Sequence, residues 1–144
     1  MDKINQLSIF IENRTGALYD VLNLLAESNV NIRALSLADT SEFAILRLVV
    51  NDPVKGKEVL ESNDFIVKIT PILAIELKDV PGGLSSILKI LDDAELDLDY
   101  LYAFTHEKTA SAILLLHTAD LDLLANVLKD KNIGIVAPEE VYNL

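Results

Sequence analysis

The chain carries one pattern twice. The segment from Leu7, LSIFIENRTGALYDVLNLLAESNVNI, returns 66 residues later from Leu73 as LAIELKDVPGGLSSILKILDDAELDL. At this offset Leu7, Ile9 and Ile11 fall on Leu73, Ile75 and Leu77, while Leu18, Val21, Leu22 and Leu25 fall on Leu84, Ile87, Leu88 and Leu91, and Gly16 falls on Gly82. Past a hairpin that is two residues longer in the second copy the offset becomes 68, so that Asp52 meets Asp120 and Leu60 meets Leu128. Such a period exceeds the short solenoid repeats and is long enough for each copy to be a small domain. The expected division is residues 1–70 and residues 71–144.

Each copy reads as strand, helix, strand, strand, helix, strand. Apolar residues alternate through Leu7, Ile9 and Ile11 and then change to helical spacing at Leu18, Val21, Leu22 and Leu25, with the change at Thr15 and Gly16. Asn29 and Asn31 close that helix and lead into a strand through Ile32, Leu35 and Leu37; residues 39–42 supply turn chemistry before a strand over Phe43 to Val50. Asp52-Pro53 is a helix start, an N-cap acceptor followed by a residue whose missing N–H costs nothing at the first helical position. A last strand is expected over Phe65 to Ile69. The second copy repeats the plan through Leu73–Leu77, Leu84–Leu91, Leu98–Phe104, Ser111–Leu116, Leu121–Leu128 and Ile133–Ala137. Only Thr70 and Pro71 separate the copies, too few residues for a flexible tether, so the expectation is two units fixed side by side. Two amphipathic helices against four strands make a two-layer α+β unit, and the pair predicts an antiparallel sheet of about eight strands with helices on one face.

Composition narrows the function. With 144 residues, 51% of them hydrophobic, the chain can bury roughly 70% of the surface its unfolded form exposes. No apolar run approaches membrane-spanning length and no basic stretch precedes a hydrophobic one at the start, so neither a membrane span nor a leader is expected and the assumed location is cytoplasmic. The absence of cysteine removes disulfides, thiolate nucleophiles and the common zinc and iron-sulfur sites. The formal charge of -11 is uneven: residues 1–72 hold 7 basic and 10 acidic side chains, and residues 73–144 hold 5 and 13. An acidic chain without a basic cluster repels nucleic acid rather than binding it.

Lys78-Asp79-Val80-Pro81-Gly82-Gly83-Leu84 resembles the D-x-P-G-x-L loop of ACT domains, small regulatory modules that bind amino acids, and Asn29-Val30-Asn31-Ile32 resembles the start of their second strand. The βαββαβ (ferredoxin-like) order and unit length are similar to stand-alone tandem ACT proteins over about residues 5–138. The resemblance implies a non-catalytic regulator without cofactor or metal, its ligand a free amino acid held between the first loop of one module and the second strand of the other. On that plan Asn13, Arg14, Thr15, Gly16, Ala17 and Leu18 face Asp97 and Leu98, and Asp79, Val80, Pro81, Gly82, Gly83 and Leu84 face Asn31 and Ile32. The copies differ: Arg14 and Thr15 stand where the second has Val80 and Pro81, so two equal sites are not expected.

The chemistry has a physical basis apart from the family. A helix N-terminus presents unpaired amide hydrogens and the positive end of its dipole, so a carboxylate can lie there if no side chain blocks the backbone. Gly16, Gly82 and Gly83 remove that block, although a tight turn alone also accounts for a glycine. Asn31 can bond an ammonium and carboxylate or satisfy local backbone. Arg14 can pair a carboxylate or remain solvated. Asp97 and Asp99 share one strand face, and their charge favours a ligand with a cationic or imidazole side chain. His106 and His117 have no serine or cysteine partner at a recognisable spacing and read as surface residues. Adjacent carboxylates at Asp92-Asp93 and Glu139-Glu140 read as solvation. An acyl phosphatase on the same strand order, with Arg14 at the phosphate, is the competing reading, and a ligand-free interaction module is a third. Apolar helix positions outside the core stripe, Tyr19, Leu24 and Ile90, favour a homodimer.

Overall fold

A computed structural model describes residues 2–39, 42–105 and 111–144. The chain groups into two compact units that exchange their ends: Asn5–Thr70 with Glu139–Leu144, and Pro71–Pro138 with residues 2–4. The first unit contains β1 (Ile4–Glu12), α1 (Ala17–Glu27), β2 (Ile32–Asp39), β3 (Phe43–Val50), α2 (Pro53–Glu61) and the opening of β4 (Ile66–Lys78). The second contains the rest of β4, then α3 (Gly83–Asp93), β5 (Leu98–Thr105), β6 (Ser111–Thr118) and α4 (Leu121–Asp130). A short α5 (Pro138–Tyr142) follows, which the tail sequence does not predict.

Both units use antiparallel ladders. β3 lies between β1 and β2, with Leu7 opposite Leu48 and Leu35 opposite Leu48 on the other side. β6 lies between β4 and β5, with Leu73 opposite Leu116 and Leu101 opposite Leu116. The described residues thus form six strands, where the repeat predicts eight. One strand is lost because the last strand of the first copy and the first of the second run together as β4 through Thr70 and Pro71. An exposed Pro71 is tolerated there, since proline disturbs a ladder only where its N–H is needed. The other is lost because Ile133–Ala137 shrinks to an isolated bridge between Ile75 and Ile135.

The alternation in β1 sends Leu7, Ile9 and Ile11 into a core with Val21 and Leu25 of α1, Leu46 and Leu48 of β3 and Leu60 of α2. The second core repeats it with Leu73, Ile75, Ile87, Leu91, Leu114, Leu116 and Leu128. Asp52 caps α2 as its sequence implies, accepting from the Lys55 amide at 3.1 Å, and Asp120 caps α4 from the Leu123 amide at 3.0 Å.

All four long helices end in the same way. An amide just past each helix reaches back five residues, Val30 to Leu25, Phe65 to Leu60, Leu96 to Leu91 and Ile133 to Leu128, at 2.9–3.1 Å. The residue between is left-handed: Asn29, Asp64, Glu95 and Asn132 have φ of 59°, 66°, 56° and 58°. This is the Schellman geometry, which glycine adopts most cheaply and asparagine next. Glu95 has neither advantage. Replacing Glu95 by glycine should stabilise the protein by about 1 kcal/mol in urea unfolding, whereas Asn29→Gly should change little.

The chain end is fastened to the first unit. Tyr142 accepts from the Asn5 amide through its hydroxyl at 2.8 Å, its carbonyl accepts from Arg33 Nε at 3.0 Å, and Val141 is buried. Burial raises the Tyr142 phenol above the usual 10.0, outweighing the Asn5 amide, which lowers it. A raised folded-state value favours the neutral phenol, so its contribution is full below the unfolded value and is lost as pH rises through the folded one. Amide protection of residues 139–144 should therefore fall above pH 10 and do so less steeply in Tyr142→Phe.

Candidate functional site

The strand-to-helix turn has the same construction in both units. β1 ends with Glu12 opposite Phe43 and turns through residues 13–16 into α1; β4 ends with Lys78 opposite Ser111 and turns through residues 79–82 into α3. Each turn finishes on a left-handed glycine at the N-cap, Gly16 with φ 87° and Gly82 with φ 85°. Neither N-cap supplies a side-chain hydrogen bond, in contrast to the aspartates that cap α2 and α4. The helices that follow the glycine turns thus present a positive end that has no capping carboxylate at the N-cap.

The second turn is the tighter of the two. A Cβ on Gly83 would lie 2.3 Å from the Lys78 carbonyl oxygen, whereas the first unit has Ala17 at the equivalent place. Ser85 and Ser86 donate their hydroxyls to the Gly82 carbonyl at 3.1 and 2.8 Å. In the first unit Asp20 occupies the Ser86 position and takes Arg14 Nη2 at 3.2 Å, with Glu12 a further 3.9 Å contact on Arg14 Nε. An internal carboxylate therefore faces the start of α1, and hydroxyls face the start of α3.

Beside each turn lies a concavity. In the second unit a space of about 580 Å³ opens between Val80–Gly83, Ser111 and the Asn132–Gly134 turn. In the first a space of about 340 Å³ opens between Arg14, Ala17, Phe43 and the Asn63–Ile66 turn. The repeat offsets superpose these linings, Asp64 on Asn132 and Phe43 on Ser111. Left-handed Asp64 and Asn132 shape the far walls, and the second wall is tied to β4 by Glu76 N donating to Gly134 O at 3.2 Å and Val136 N to Ala74 O at 2.8 Å.

The residues singled out in the sequence fall into two places. Asn13, Arg14, Thr15, Gly16, Ala17 and Leu18 build the first turn, with Asn13 N donating to Glu42 O at 3.2 Å and Leu18 packed on the core. Asp79, Val80, Pro81, Gly82, Gly83 and Leu84 build the second, where Val80 and Leu84 are exposed. Asn31 and Ile32, like Asp97 and Leu98, lie at the far end of their own unit: Ile32 pairs with Val50, whereas the turn end of β3 is Phe43. A strand of this length spans roughly 20 Å, so within one unit the turn and the strand start are not brought together. Asn31 there bonds Asn51, its amide donating to Oδ1 at 2.8 Å.

Sequence reasoning overlooked Ser86, Ser111, Asn132 and Gly134. An asparagine or aspartate just past a helical pattern, as at Asp64 and Asn132, was the available signal for the turn. A cluster around His117 was also not apparent. Its Nδ1 lies 2.9 Å from Asp99 Oδ2 and its ring stacks on Tyr100 at 5.0 Å, after a bulge between Leu98 and Tyr100 that re-aims Asp99. His106 lies outside the described residues.

Comparisons with known proteins fit this geometry. A family model described as an ACT domain pair matches residues 2–144. A solved protein from Bacteroides thetaiotaomicron is 35% identical, with 99% of this chain and 97% of that one covered and a TM-score of 0.92. The ligand-free regulatory subunit of aspartate kinase from Thermus thermophilus shares the fold at 13% identity and TM-score 0.60, covering 87% of this chain and 90% of that one. The corresponding subunit from Thermus flavus does so at 14% identity and TM-score 0.57, covering 88% and 92%. A search of curated protein sequences finds no match. Among the described residues no helix is long and apolar enough to cross a membrane.

The close approach at Gly83 gives a direct test of the turn. Gly83→Ala should cost about 1–3 kcal/mol in urea unfolding, because a backbone oxygen cannot move aside as a side chain can. Gly134→Ala should fall within about 0.5 kcal/mol of the parent, since nothing lies within 4 Å of its added Cβ.

Proposed function

From the premise that the chain belongs to the family of ACT domain pairs, we propose that it is a regulatory, non-catalytic protein that binds a free amino acid at its glycine turns. The observation that carries this reading is the meeting, in the second unit, of a helix start without an N-cap side chain, a left-handed glycine and a cavity; in the first unit Arg14 and Ala17, on either side of Gly16, line the cavity. A helix start of this kind suits the carboxylate common to every amino acid, and the cavity beside it suits a side chain. Residues 1–70 and 71–144 then act as two modules, with Gly82, Gly83 and the Asn132 turn forming the more open site.

Charge bears on the choice of ligand. The second cavity has both Glu76 and Lys78 in its lining, and it lies in the half with 13 acidic and 5 basic residues, whose field disfavours glutamate and aspartate and favours a cationic, imidazole or hydroxyl side chain. Asp97 and Asp99 lie at the other end of the unit and bear on this choice only through its net charge, Asp99 being engaged by His117. Arg14, which an acyl phosphatase would need for phosphate, pairs with Asp20 and has Glu12 nearby; both carboxylates oppose a phosphate and support the non-catalytic reading.

Occupancy has regulatory effect only through a difference in affinity between two arrangements of the protein or its partner. Large exposed side chains on β2, Leu35 and Leu37, support a homodimer as one of those arrangements. A thermal-shift screen of the twenty amino acids tests the reading. A ligand at 100 times its Kd should add about 2.7 kcal/mol to the folded state. Gly82→Val should remove the shift given by polar amino acids, since a β-branched residue resists the left-handed backbone and covers the helix amides. No shift with any amino acid would refute the proposal.

A further inference from the structure

The end of the chain passes from one unit to the other beside the second cavity. Residues 135–137 belong to the second unit, where Ile135 bridges Ile75 and packs on the core, and Val136 N donates to Ala74 O at 2.8 Å. Pro138 then opens α5, which groups with the first unit from Glu139 onward. There Val141 is buried, Tyr142 Oη accepts from the Asn5 amide at 2.8 Å, and Tyr142 O accepts from Arg33 Nε at 3.0 Å. Arg33 sits in a bulge of β2, between Ile32 opposite Val50 and Ala34 opposite Val49, and a bulge re-aims the side chain it carries. This grip is particular to the first unit. The same bulge recurs in β5 with Asp99 at the position of Arg33, and there it takes His117.

The wall of the second cavity is the adjoining piece of chain. Asn132, Ile133 and Gly134 line it, and three residues separate Gly134 from Pro138, a span of at most about 14 Å. The connection has no slack, since Val136 and Pro138 are buried and Gly134 O accepts from Glu76 N at 3.2 Å. A displacement of the wall is therefore passed on rather than absorbed. At five residues α5 is too short to persist as an isolated helix, so it exists only while its contacts with the first unit hold. Docked and released are its two states.

We propose that residues 135–142 form a strap through which occupancy of the second cavity is relayed to the first unit. The inference rests on the reading of that cavity as a ligand site and adds the means of its regulation. A ligand against Asn132 and Gly134 holds the turn, the turn holds the stretch paired with β4, and that stretch holds α5 on Arg33 and Asn5. With the cavity empty the turn is held less firmly and the strap is released more often. Release frees Arg33 Nε and the Asn5 amide at the starts of β2 and β1, so the first unit differs between occupied and empty protein. The coupling is reciprocal: by whatever factor the ligand favours the docked strap, the docked strap favours the ligand.

Hydrogen exchange and calorimetry on the full chain test this with L-histidine and L-serine as probes. A saturating probe should slow exchange of the Asn5 amide and of residues 139–144 at least fivefold, and Gly82→Val should abolish that slowing along with binding. The double variant R33M/Y142F removes both polar anchors of the strap and should weaken the probe at least fivefold, although neither residue lines the cavity. Exchange of the Leu114 and Leu116 amides matching the parent's would exclude unfolding of the second unit as the cause. A tail that merely completes the first unit opens without disturbing the cavity, so its exchange would be the same with and without probe and the double variant would bind like the parent. Either result would overturn the inference while leaving amino-acid recognition intact. The exchange of the parent needs no variant and decides the matter even if the double variant unfolds. Failure of both probes to bind the parent would overturn the inference and count against the ligand reading as well.

Discussion

Everything at the candidate site follows from how closely α3 approaches the end of β4. The space between the Gly83 α-carbon and the Lys78 carbonyl oxygen holds a hydrogen atom and no more, since a Cβ would come within 2.3 Å. That proximity requires Gly82 to turn left-handed just before it. With glycine at the N-cap, no N-cap side chain closes the helix start; the Gly83 amide donates to Val80 O at 3.0 Å, and Gly82 and Gly83 line the neighbouring cavity. The tight turn and the missing N-cap side chain are thus one feature. An aspartate at the N-cap, as in α2 and α4, would instead take one amide of the first turn.

The first unit keeps the skeleton and alters the electrostatics. Ala17 in place of Gly83 relaxes the approach, and Asp20 with Arg14 supplies charges where the second unit has serines. Other differences fall in the core. Gly56 in α2, whose added Cβ would lie 3.0 Å from Leu7 Cδ1, stands where α4 has the buried Leu124. Each helix therefore has its own fit on its strands, although both cores use the same positions.

Much of this architecture was legible in the sequence because its signals are local. Alternation through Leu7, Ile9 and Ile11, helical spacing from Leu18 to Leu25 and the Asp52-Pro53 start each depend on a few neighbouring residues, and all appear where expected. The continuous β4 was not legible. A Thr-Pro pair between two repeats reads as a junction, and only the ladders show a strand passing through Pro71. The shrinkage of Ile133–Ala137 to one bridge and the exchange of chain ends are likewise products of distant contacts, such as Asn5 with Tyr142. At the site the glycine turns could be found by motif, but Ser111 and Asn132 could not, since folding alone brings residues so far apart in sequence to one cavity. The placement of Asn31 and Asp97 at the far end of their units became clear only from the strand register.

The central claim is that the glycine turn of the second unit and the Asn132–Gly134 turn together form one ligand site. A titration followed by amide nitrogen–proton NMR tests it without reference to stability or activity. With an amino acid that stabilises the protein, the amides of Gly83, Leu84, Ser85 and Ser86 should shift along one saturable curve with those of Asn132, Ile133 and Gly134, all with the same Kd. Saturable shifts confined to other parts of the chain, leaving both turns unmoved, would contradict the account.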